Sequence, residues 1–430
     1  MKKLLLMALS FSALASPNNT APHLPIDLNF EESLKLYKDF KRSKRDNKLF
    51  KSDQRFNTLG NTFSAYQDDM DKIVASGTKI ARWLKNINTN TSTNNPVRLS
   101  SRGTQRGIPV TKPSKYSPKI VSERFEKLKE HMPKEMYDVI YGSKAIPSEL
   151  PQNISKEDFI KLSRFASGLY QTATRWNMMQ PYMRALIVRS ARDIRGYIFF
   201  KGIENPKLYL NNIEQLDDER KNMLLKGLVD ICTNATRNKS NCKSAVHSPQ
   251  NRPYLAQAYD IYMPKAKEVY ESFFKITNPR NDVEWIPNGQ NTMRVVFKNI
   301  QDPEIANWLK ENVEDEFKLN KENFSLELNF IKGDNSTAYL KFKPGVTPHV
   351  KGGNELVMDA NSDINEYSVQ WTIRHEFGHI LRLPDCYTEF YDTEEQVMVN
   401  YQLDTTDLMC SRAGLMNERI YEELKKHYLK

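Results

Sequence analysis

Residues 375–387 read HEFGHILRLPDCY. His375 and His379 stand four apart, and on an α-helix positions i and i+4 share a face. Two imidazoles so placed can grip one zinc ion, with Glu376 beside it to take a proton from bound water. Asp385, six residues after His379, is the candidate third ligand. Three protein ligands leave a fourth position for water, the pattern of a reactive centre and not of a structural one. Glu394 and Glu395 are rival third ligands, and they require a second helix through residues 389–401. The plainer alternative is a surface helix with two solvated histidines.

The flanks favour a helix. Asp363 and Glu366 form a capping pair just upstream. Trp371, Ile373, Phe377 and Ile380 offer apolar contacts, and Pro384 stops the helix before Asp385. Further on, DLMCSRAG at 407–414 places Met409 in a short polar turn.

HExxH, a short turn, a third ligand six residues on and a later Met in a tight turn resemble the metzincin zinc metalloproteases. Aspartate as that ligand, followed two residues later by Tyr387, is similar to the snapalysin group of secreted bacterial metzincins. The resemblance covers roughly residues 290–430. It implies an α+β fold: a metzincin-like catalytic domain, with a twisted mixed sheet, zinc helix and C-terminal helix, after a mainly α-helical N-terminal region. It implies Zn2+ as cofactor, a protein or peptide substrate and hydrolysis of peptide bonds. His375, His379 and Asp385 are then the metal ligands and Glu376 the general base. Tyr387 is a phenol near the metal, and Met409 an apolar floor beneath the ligands. The resemblance also makes the last strand before the zinc helix a cleft edge, so that Gly352 to Leu356 pairs with extended substrate. A plain hairpin turn at Gly352-Gly353 is the other reading. One residue departs: the family carries Gly three residues after the second His, where φ is positive, and this chain has Arg382. That costs roughly 1 kcal/mol.

Alternation and helical spacing order the segment around this motif. Met293–Phe297, Phe324–Phe330, Ala338–Phe342 and Glu355–Met358 read as strands. Asp302–Phe317 reads as a helix, and a last helix falls near 415–428. Upstream, Ser155 with Asp158 starts a helix bearing Phe159, Leu162, Phe165 and Leu169 at helical spacing. Leu216, Met223, Leu224 and Leu228 repeat the pattern, as do Tyr259, Tyr262 and Tyr270 more loosely.

The start of the chain carries Lys2-Lys3, an apolar run from Leu4 to Leu14 and Ala13-Leu14-Ala15 as a cleavage site. This is a secretory leader, which implies a secreted or periplasmic protein. No later stretch is apolar enough over 18 residues to cross a membrane. The expected division is a leader at 1–15, a basic and partly disordered region at 16–122, a helical pro-region or accessory domain at 123–278 and the zinc domain at 279–430. Residues 281–430 carry 16 Lys+Arg against 26 Asp+Glu, whereas residues 1–280 carry 47 against 27. Three readings stay open for that basic half. It is solvated surface, it packs on the acidic half as a pro-region, or it grips an anionic cell-envelope polymer or nucleic acid. The last underlies the competing function, a non-catalytic secreted binder of such polymers. Lys72–Ser122 has ten Lys/Arg and no acid, and within it NINTNTSTNNP (86–96) and the Gly/Pro/Ser-rich run up to Pro118 read as a linker or disordered arm.

Four cysteines suit an oxidising compartment. Cys232 and Cys242 are close enough to bridge. A Cys386–Cys410 bridge would tie the turn of Asp385 to the turn of Met409, and a free Cys blocking the metal is the alternative. Asp359-Ala-Asn361-Ser-Asp363 lacks the Gly and Glu of a calcium loop and reads as turn chemistry. His349 and the remaining histidines read as structural or surface residues.

Overall fold

The computed structural model describes residues 65–90, 97–99, 114–286, 291–334, 336–393, 395–411 and 414–429. The leader, Glu394 and residues 31–42, whose pattern reads as a helix, lie outside them. The chain is a mixed α+β protein. No helix among the described residues is long and apolar enough to cross a membrane.

Helix α1 (Gln67–Asn90) opens the described chain. It corrects the start of the linker reading, because the helix continues through Asn86–Asn90. Its Met70, Ile73, Ile80, Trp83, Leu84 and Ile87 recur at helical spacing and are buried. Strand β1 (Ser114–Tyr116) follows, then α2 (Pro118–His131), α3 (Lys134–Ile140), α4 (Lys156–Met179) and α5 (Met183–Arg189). Helix α4 starts as expected, with Ser155 accepting from the Asp158 N–H at 3.0 Å. Helices α6 (Arg195–Lys201), α7 (Pro206–Asn211), α8 (Asp218–Thr236), α9 (Lys239–His247) and α10 (Leu255–Glu271) come next. The Cys232–Cys242 disulfide joins α8 to α9.

Two cores divide the molecule, and neither ends at residue 279. One runs from Met70 to Leu186 and also takes in Tyr391 and Met398. The other runs from Ile194 to Tyr428. Helices α6–α10 therefore share their core with the C-terminal sheet, and the break falls between Leu186 and Ile194. Composition located a change of texture near Pro279; packing across that point is continuous.

The C-terminal strands are β2 (Val283–Ile286), β3 (Asn291–Lys298), β4 (Lys318–Leu319), β5 (Phe324–Ile331), β6 (Tyr339–Lys343), β7 (His349–Lys351) and β8 (Glu355–Asp359). They form sheets ordered β2-β3-β5-β4 and β6-β8-β7. A Phe297–Ala338 bridge links β3 to the start of β6. Strands β3 and β5 are parallel, connected through α11 (Pro303–Glu316). Strand β6 is parallel to β8, and β7 is antiparallel to it. Strand β8 is thus paired on both sides, which corrects the expected edge. The free edge belongs to β7, and Gly352-Gly353 is the hairpin turn between them.

The helix that carries the histidines is α12 (Tyr367–Ile380). Trp371, Ile373, Phe377 and Ile380 are buried along it. The expected capping pair does not form. Glu366 accepts instead from the Leu99 N–H at 2.8 Å, and Asp363 from the Asn365 N–H at 2.9 Å. The helix is fixed from below by Arg374, whose guanidinium reaches Glu316 at 2.9 Å and Asn312 at 3.2 Å. Glu316 also accepts from the Met416 N–H at 2.9 Å. Breaking such a buried pair typically costs about 3–5 kcal/mol. After α12 the chain forms a hairpin, β9 (Tyr387–Asp392) and β10 (Val397–Gln402), and ends in α13 (Glu418–Tyr428).

Candidate metal centre

The exit from α12 decides where Asp385 lies. Arg382 has φ of 66°, the left-handed region. Its N–H donates to the His379 carbonyl at 3.0 Å, and the Leu383 N–H donates to the Gly378 carbonyl at 3.0 Å. These two bonds make a Schellman end. The turn thus survives without the expected glycine. Gly353 abuts Arg382: with φ of 77°, it sits where any Cβ would collide with the Arg382 guanidinium. The helix stops at this cap, three residues before Pro384.

Both imidazoles are oriented by backbone carbonyls. His375 Nδ1 meets the Leu408 carbonyl at 2.8 Å, and His379 Nδ1 meets the Leu383 carbonyl at 2.8 Å. A carbonyl only accepts, so each Nδ1 carries the hydrogen. In the neutral rings each Nε2 is then a lone pair. Both lone pairs converge on Asp385 Oδ1, at 3.2 Å from His375 and 3.0 Å from His379. Tetrahedral zinc with bonds of about 2.0–2.1 Å spaces its ligand atoms by about 3.3 Å. The Asp385 side chain is 37% exposed as a whole, yet Oδ1 itself is buried and has no hydrogen-bond partner. Two ring nitrogens and a carboxylate oxygen at this spacing are satisfied by a shared proton or by a metal ion, and the donor set and its spacing fit zinc.

The charges around these groups favour a proton on His379 at neutral pH. Burial pulls the His379 imidazole down, but the Asp385 carboxylate outweighs it and lifts the group to about 9. Burial pushes Asp385 up, yet the two imidazoles hold it well below the usual carboxylate range. The carboxylate is therefore charged at ordinary pH with the His379 imidazolium as its partner, and a metal ion that binds here would displace that proton.

Met409 lies directly beneath α12. Gly378, between the two histidines, faces its Sδ where a Cβ would stand. The Met409 carbonyl accepts from the Cys386 N–H at 3.1 Å, and the Cys386–Cys410 disulfide ties the same two turns covalently. Asp407, fully buried, accepts from the Met409 N–H at 2.8 Å and from Asn417 at 2.6 Å, and pairs with Arg419. Gly378→Ala should therefore overpack this contact by about 1–3 kcal/mol. That exceeds the roughly 1 kcal/mol Ala gains over Gly in a helix. Urea unfolding should show a net loss of stability.

Glu376 is buried in α12 and lines the cleft with both histidines and Asp385. Tyr387 opens β9 with its ring stacked on His375, centroids 6.3 Å apart. Burial and the Asp385 charge push its phenol well above the ordinary value, so it stays an O–H donor. Glu395 is directed elsewhere, to Lys115 at 2.6 Å. A hairpin occupies 387–402 in place of the helix its candidacy needs. Among the described residues, the other cluster with metal-ligating side chains is Cys386, Asp407 and Cys410, whose cysteines form the disulfide. Asp359 serves turns, accepting from the Gly345 and Asn361 N–H groups at 3.0 Å each.

The cleft above these residues has a volume of about 560 Å³. Sequence reasoning missed much of its wall. His349 of edge strand β7 lines it, with Nδ1 on the Thr347 carbonyl at 2.8 Å. Arg175 of α4 and Tyr116 of β1 line it too, both bonded to buried Glu389 on β9. Arg175 and Glu389 are 214 residues apart, so no local pattern marks them. No family model, curated protein or solved structure matches the chain.

Proposed function

We propose that the chain is a secreted, zinc-dependent endopeptidase of metzincin type. The observation that carries this is the meeting of two oriented imidazole lone pairs and an orphaned carboxylate oxygen at the floor of an open cleft. His375, His379 and Asp385 would hold the metal. Zinc so held supplies a Lewis acid and an acidified water.

This chain's residues do the rest. Glu376, between the two ligands, takes the proton of the attacking water and hands it to the leaving amine. Tyr387, kept protonated, donates to the oxyanion that forms on the substrate carbonyl. Strand β7 offers its unpaired backbone edge to an extended peptide, which gives affinity with little sequence choice. The carboxylate ligand lends the ion more negative charge than a third imidazole would. The metzincin likeness draws further support from the parallel β3, β5, β6 and β8, the antiparallel edge β7 and Met409 under the helix.

Metal analysis of the purified chain tests this directly, with about one zinc per chain expected. A strong chelator should abolish casein cleavage and zinc should restore it. Zinc at a hundredfold excess over its Kd should also stabilise the fold by about 2.7 kcal/mol, seen as a higher Tm. A metal-free chain retained on heparin in a salt-sensitive way would favour the anionic-polymer binder instead.

A further inference from the structure

We infer that the N-terminal helical layer is a standing wall of the substrate cleft, and that α4 is a specificity-determining face of it. This rests on the peptidase reading. A removable pro-region would mask a cleft that is complete without it. Here the cleft is built from both halves. On one side stand Val346–Val350 and β7; on the other, Tyr170, Gln171, Thr174 and Arg175 of α4 with Ser114 and Tyr116 of β1.

The layer is joined to the site by strand pairing, buried hydrogen bonds and shared core. Strand β1 extends the β9–β10 hairpin, with Lys115 facing Val399 and Tyr116 facing Met398. Tyr116 donates to Glu389 at 2.6 Å, and Arg175 holds the same carboxylate through Nε at 3.2 Å and through Nη2. Glu389 is two residues along β9 from Tyr387, so these bonds fix the strand that presents the phenol. Tyr170 donates to Asp359 at 2.6 Å. Tyr391 and Met398 belong to the N-terminal core. Taking the layer away would strand a buried carboxylate and bare two large apolar side chains.

Two variants of the full chain test this. Facing residues of antiparallel strands stand about 4.5–5.5 Å apart at Cα, within disulfide range. Lys115→Cys with Val399→Cys therefore locks β1 to β10 away from the cleft. The oxidised double variant should cleave casein within about twofold of each single variant. Gln171→Trp intrudes on the cleft from α4. It should raise KM for a casein-derived peptide at least tenfold, with kcat within about threefold and zinc content unchanged, whereas Gln171→Asn should keep KM. The inference is overturned if the locked chain is inactive while the single variants cleave, or if Gln171→Trp leaves KM unmoved. It is also overturned if activity appears only once residues 114–187 are removed. A chain that neither binds zinc nor cleaves casein, before or after trimming, removes the peptidase reading itself and this inference with it.

Discussion

Glu376→Gln should bind zinc with the parent stoichiometry and lose about 10²–10⁴-fold in kcat/KM on casein, the usual contribution of a general base. That loss corresponds to about 3–5 kcal/mol of transition-state stabilisation. The substitution keeps the side chain's size and removes only its ability to accept a proton, so helix α12 and its two imidazoles stay as they are. Glu376 is buried at the cleft floor between the candidate ligands, where no other carboxylate of α12 reaches. Zinc content and turnover measured on one preparation decide the matter. Full turnover with zinc present would strip Glu376 of its role, and His349, the further histidine of the cleft wall, would be the next base to test.

Asp385→Ala should weaken zinc binding by more than about 100-fold, because even changes to residues that merely support a ligand cost 10–100-fold. Its Oδ1 is the atom both imidazoles face, and its charge offsets that of the ion. Glu395→Ala makes the informative contrast. It removes an ion pair to Lys115 whose side chains are 27% and 23% exposed, so it should cost within about 1 kcal/mol and leave zinc affinity alone. Competition with a fluorescent zinc chelator reads both. Zinc lost with Glu394→Ala or Glu395→Ala and retained with Asp385→Ala would reverse the ligand assignment.

The elements nearest the motif were legible because their signals are local. Phe324, Leu326 and Leu328 alternate and are buried, and Asp302 caps α11 as its position suggests. Both disulfides follow from cysteines placed close in sequence or beside the two site turns. Strand β7 was not legible, since three residues cannot display a period. The β9–β10 hairpin turns through Gln396 at φ of 54°, without the glycine that usually marks such a turn. Helix α1 carries a clear stripe from Met70 to Ile87, but its polar last turn, Asn86–Asn90, runs into an Asn/Thr-rich stretch that masked it. Glu366 looked like a capping partner and is committed to Leu99, 267 residues earlier. The site's ligands sit within eleven positions of one another. The cleft's far wall joins residues hundreds apart, and only packing brings them together.

The Cys386–Cys410 link has a consequence for biogenesis. It closes a 24-residue loop whose two ends carry the carboxylate and the sulfur of the centre, worth about 3–4 kcal/mol to the folded state. In a reducing cytoplasm that link stays open. On the proposed reading of a secreted peptidase, a copy held back before export would lack the strut that sets these turns together and would be expected to cleave less until its thiols are oxidised.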